Sequence, residues 1–188
     1  TDFMWVVSEG EGIDGQILGA PGAENLSSPL QQNANFVVSL VAPCTGASTP
    51  PNRVRNLTPN PENNSTFGTL SIRRTVTNTT PNDITQLRFR IIDITTLPAP
   101  EGVADLRALT STDSTEGNPC APGELIDLLS VTLEGTSSLA GQPLGGGWNS
   151  TLTLPTPLPA NSSINVNFLL GVQQTGRFRF FINIEALP

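Results

Sequence analysis

The clearest pattern lies late in the chain, where Ile164, Val166, Phe168, Leu170 and Val172 recur at every second position, and Phe178, Phe180, Ile182, Ile184 and Ala186 do the same. A period of two puts alternate side chains on opposite faces of a strand, so this spacing predicts two long strands with one buried face each. Gln173–Gln174–Thr175–Gly176 joins them as a turn. Residues 31–41 predict another strand, with Phe36, Val38 and Leu40 on one face, Val37 and Val41 on the other, and both faces covered. In residues 67–78, Leu70, Ile72 and Val76 are in phase while Arg74 breaks the phase, which points to a bulge or an edge position. Residues 84–95 alternate Leu87, Phe89 and Ile91 with Arg88 and Arg90, and the turn-forming residues 78–83 make the two runs the best candidate hairpin.

Shorter strands are expected at 104–109, 125–134 and 148–154, with Leu129, Val131 and Leu133 alternating in the second. At the start, Phe3, Met4, Trp5, Val6 and Val7 form an apolar run of high β preference, followed by an acidic, glycine-rich stretch to Gly15. The expected organisation is an extended segment over 1–29, carrying this candidate strand, and one domain over 30–188. Seventeen Gly and seventeen Pro interrupt the chain. Abundant Ser, Thr and Asn compete for backbone hydrogen bonds, so helix should be scarce. About nine strands joined by turns predict an all-β, antiparallel two-sheet β-sandwich of Ig-like or jelly-roll-like kind. Its longest strands reach ten residues or more, taller than the usual run of about five or six.

Charge narrows the function. The net charge is −7, and all nine basic residues are Arg. So acidic a chain lacks the concentrated positive charge that phosphate binding needs, which argues against nucleic acid as a partner. The pairs Arg73/Arg74, Arg88/Arg90 and Arg177/Arg179 are expected to bridge to carboxylates such as Asp93 or Glu185 on a solvated sheet face. His, Lys and Tyr are absent, which removes the commonest general bases and any serine triad. Glu9, Glu11, Asp14, Asp113, Glu116 and Glu124 read as solvated loop acids and not as a glycosidase pair. Neither Glu9–Asp14 nor Asp113–Glu116 matches a known calcium-loop pattern, and Gly145–Gly147 is a turn. The expectation is no enzyme, no cofactor and no metal. No apolar run reaches the roughly 18 residues of a membrane span.

Cys44 and Cys120 each sit in a Pro/Gly-rich loop, and the pair reads as one disulfide, which belongs in an oxidising, extracellular or cell-surface setting. Candidate glycosylation sequons begin at Asn25, Asn56, Asn63, Asn64, Asn78, Asn149 and Asn161.

The runs Leu18–Gly22, Phe67–Arg74, Leu87–Thr95, Ala104–Leu109 and Phe168–Phe181 resemble an uncharacterised β-sandwich domain of large secreted bacterial surface proteins, over Leu18 to Leu187. That resemblance carries no catalytic motif and implies location and role alone. The preferred expectation is a subunit of an extracellular filament or surface matrix, a homopolymer in which Phe3, Trp5 and Val7 enter a neighbouring copy. The same strand completing its own domain's sheet is the competing reading. The alternative function is an adhesin or carbohydrate-binding module for cell-surface glycans, with loops 43–65 and 111–123 and Trp148 as its surface.

Overall fold

The computed structural model describes residues 36–94, 104–134, 146–147 and 150–187. The segment 1–29, including the 3–7 strand, together with Asn25, Trp148 and Asn149, lies outside them. Among the described residues every element is a strand except one 3-10 turn at Pro61–Asn63. Period-two alternation, and the glycines and prolines between the runs, explain that outcome.

Two antiparallel sheets pack face to face. The first holds β1 (Phe36–Leu40), β3 (Thr69–Asn78), β10 (Ser163–Gln174) and β5 (Asp105–Leu109) in that order, and β2 (Arg53–Asn56) also pairs with β3. Because β1 pairs with the 74–78 half of β3 and β2 with the 69–72 half, two short strands share one edge. The second sheet runs β11 (Phe180–Leu187), β4 (Gln86–Ile94), β9 (Thr151–Leu154), β8 (Thr132–Leu133). The core between them contains Leu87, Phe89 and Leu152 from one sheet and Val76, Val166, Phe168 and Leu170 from the other, all nearly or fully buried. At roughly 25 cal/mol per Å2 of apolar surface removed from water, this layer is the main stabilising term.

The expected hairpin over 67–95 does not form. β3 and β4 lie in different sheets, and residues 79–85 arch across the end of the sandwich. Asn78 causes the arch: fully buried, it donates through Nδ2 to the carbonyls of Asn82, Leu158 and Pro159, and its Oδ1 accepts from the Thr80 N–H. β10 and β11 are likewise split between the sheets. Two strands were not expected. β2 has one apolar residue in four, and β6 (Ser114–Gly117) has none; β6 pairs with β7 (Leu125–Leu128) as a separate hairpin.

This hairpin packs against the first sheet. Ile126 and Leu128 cluster with Val41 and Ala42, Arg73 of β3 bridges to Glu116 at 2.8 Å, and Asn165 Nδ2 of β10 donates to the Asp127 carbonyl. The Cys44–Cys120 disulfide joins its turn to the loop after β1 across 76 residues. Closing a loop of that length stabilises the fold by about 4 kcal/mol in the chain-entropy description. Glycine permits two close approaches. Gly68 has φ of +81° and a Cβ there would lie 2.1 Å from the Asn56 carbonyl oxygen; at Gly171 it would lie 2.1 Å from that of Asn64.

Candidate functional site

A cleft of about 500 Å3 lies between the two sheets, on the side where β1 and β2 face β11. Among the described residues β1 and β11 are the terminal strands in the order of their sheets, so no described strand closes the sandwich here. Phe36, Ile72 and Phe168 line it from the first sheet, Phe180, Ile182 and Ile184 from the second. Its long axis follows β3. Phe36 stands opposite Asn78, Val38 opposite Val76, Leu40 opposite Arg74 and Arg53 opposite Ile72. The Arg53 guanidinium lies 5.7 Å from the Phe178 ring centre, and Phe180 meets Phe168, whose own partner is Ile72. The Arg53–Phe178 end and the Phe36 end are therefore six β3 positions apart along one groove.

The expectation that both faces of the 31–41 strand are covered fails at its described residues. Val37 is 54% exposed on the face away from the cleft, and at the cleft Val38 is 48% exposed and Phe181 on the other rim 55% exposed. Apolar side chains at the rim of an apolar cleft mark a surface suited to burial against something else.

Arg74 corrects another expectation. β3 keeps its register through it, with no bulge or edge position: Val166 stands opposite on β10 and Leu40 opposite on β1. Its side chain stays in phase with Ile72 and Val76 and lines the cleft. The guanidinium donates to the Arg73 carbonyl at 2.7 Å and weakly to that of Asn52 at 3.4 Å. Desolvation, and secondarily the charge of Arg53, hold its pKa below the ordinary arginine value. Among the described residues neither Arg74 nor Arg53 pairs with a carboxylate. Of the other expected arginines, Arg177 has no carboxylate partner among the described residues and the rest are paired, Arg73 with Glu116. Arg179 bridges to Asp93 at 3.1 Å, and Arg88 and Arg90 bridge to Glu185. Glu185 is nevertheless 2% exposed, so its surroundings are not the solvated face expected.

A second cleft of about 340 Å3 meets the first at Arg53 and Phe178, and takes in Ser48, Arg55, Gln174 and Thr175. Loops 43–65 and 111–123 are held together by the disulfide, and Ser48 from the first of them reaches this cleft. The phase of Arg74 with Ile72 and Val76 was the one sequence signal that it faces inward; Arg53 carried none.

The described sequons divide by burial. Asn56, Asn63 and Asn161 are exposed, whereas Asn64 is 7% exposed and Asn78 is fully buried. Glycosylation at Asn64 or Asn78 is therefore incompatible with this fold, since a sugar on Asn78 Nδ2 would displace donors already committed to carbonyls. Peptide mapping of folded protein from a glycosylating host should find Asn78 unmodified, with occupancy confined to exposed sequons. A glycan on Asn78 in folded protein would contradict the arch.

Among the described residues no cluster of His, Cys, Asp or Glu could hold a metal, and no helix is long and apolar enough to cross a membrane. No protein-family model, curated protein or solved structure matches this chain.

Proposed function

We propose that the protein is an extracellular structural subunit that assembles into a filament or surface matrix by strand complementation, Phe3–Val7 of one copy entering the cleft of the next. The observation that carries this reading is the apolar groove that no described strand closes, about 20 Å long between the Asn78 and Ile72 levels of β3 at the usual strand rise. An apolar strand laid there would cover Phe36, Phe180 and Ile182 and shield the exposed Val38 of β1. A head-to-tail contact of this kind does not close on itself and so propagates. The disulfide fits secretion into an oxidising compartment.

Removing residues 1–8 tests the reading. Intact protein should form polymers visible by negative-stain electron microscopy, whereas the shortened chain should keep a β-type circular-dichroism spectrum and sediment as a monomer. Unchanged polymers would reject the proposal. A monomeric intact protein that loses thermal stability on the same deletion would place the strand in its own sheet.

The second cleft favours one further reading, a carbohydrate-binding module. An aromatic ring beside Arg55, Gln174 and Thr175 is the chemistry that stacks on and hydrogen-bonds a sugar. Glycan-array screening of the shortened monomer examines it, and silence across the array would count against it.

A further inference from the structure

Arg53 and Arg74 place two guanidiniums in an otherwise apolar groove, with no carboxylate paired to either among the described residues. Burying like charges without a counter-charge is unfavourable, so an occupant that brings an acid to this end gains an ion pair as well as apolar contact. Such an acid exists in the sequence. Phe3, Trp5 and Val7 share the odd phase of the first segment, and the next residue in that phase is Glu9. In the other direction the next in-phase residue is Thr1, which carries no charge.

The lengths agree. Six residues separate Phe3 from Glu9, and six separate Asn78, opposite Phe36, from Ile72, opposite Arg53. At a rise of about 3.3 Å per residue both intervals are about 20 Å. With Phe3 at the Phe36 end, Glu9 arrives at the level of Arg53, one in-phase position from Arg74.

We infer that Glu9 of the inserted segment pairs with Arg53 and Arg74 of the accepting copy, so that the segment enters with one polarity and one register. The inference rests on the reading of Phe3–Val7 as the inserted strand and adds what fixes its direction. Reverse insertion would put no in-phase acid beside the arginines, since Asp2 falls in the opposite phase from Phe3. A slip of one residue would turn Phe3, Trp5 and Val7 away from the groove. The apolar side chains supply adhesion, and the charge pair selects the arrangement.

Charge exchange in the full chain tests this. Glu9→Arg, Arg74→Glu and the double variant are compared with the parent for the concentration at which polymer first appears, by light scattering and sedimentation. Each single variant should raise that concentration at least about tenfold, and the double variant should recover most of the loss. Glu9→Arg leaves every described wall residue of the groove unsubstituted, and an unchanged thermal unfolding curve for that variant separates lost pairing from a damaged fold. Four parallel curves would overturn the pairing while leaving strand insertion intact. A parent that never polymerises would remove both. Polymerisation indifferent to Glu9, with thermal stability raised by added decanoate, would assign the groove to a small amphiphilic carboxylate and overturn the inference.

Discussion

Replacing Phe168 by alanine should lower the free energy of unfolding by about 3–5 kcal/mol, the usual range for truncating a buried phenylalanine. Phe168 is 1% exposed and projects from β10 of the first sheet. It meets Phe89 of β4 edge-to-face, with ring centres 5.0 Å apart, and Phe180 of β11 at 5.9 Å. Both partners belong to the second sheet, so one side chain joins the two layers. Edge-to-face pairs add about 0.5–1.5 kcal/mol beyond the area they bury. Phe168→Leu fills most of the volume and should cost less than Phe168→Ala. Chemical denaturation followed by circular dichroism gives both values. A loss below about 1 kcal/mol for alanine, the order of an ordinary surface change, would mean that the sheets do not meet at this ring.

The position of Phe168 inside the sandwich was readable because alternation reports which face of a strand is apolar. Alternation does not report which sheet a strand joins, and the mistaken hairpin over 67–95 follows from that. Residues 78–83 look like a turn between strands, but the Asn78 side chain collects carbonyls from two connections and bends the chain across the layers. β2 was missed for a related reason. Arg53–Val54–Arg55–Asn56 carries almost no apolar signal, and its strand character comes from pairing with β3. Arg74 appeared as an interruption because a charge in an inward phase normally signals irregular backbone. Here the backbone is regular and the position lies on a side that no described strand closes, where an inward charge can still reach carbonyls and the cleft. The cysteine pairing was legible from loop composition. The groove was not, because it is formed by strands far apart in sequence.

Glu185→Ala should destabilise the chain by about 3–5 kcal/mol, comparable to the loss at Phe168 but by a different mechanism. Its carboxylate accepts from Arg88 Nε at 2.5 Å and from Arg90 Nε at 2.9 Å, and its side chain is 3% exposed, against 17% and 16% for the two arginines. Alanine leaves two guanidiniums partly desolvated without the anion that offsets their repulsion. The distinguishing result lies in combination. Replacing Glu185, Arg88 and Arg90 together by leucine should recover most of the stability lost by Glu185→Ala, because the unpaired charges are gone and apolar contact replaces them. If the loss instead came from a poorly filled space, removing the arginines would deepen it. The effect should also persist in high salt, since screening acts weakly on a pair so little exposed, whereas the half-exposed Arg179–Asp93 bridge should contribute little at any ionic strength. Equal denaturation curves for Glu185→Ala and the parent would show that the carboxylate does not hold β11, which carries one wall of the groove, to β4.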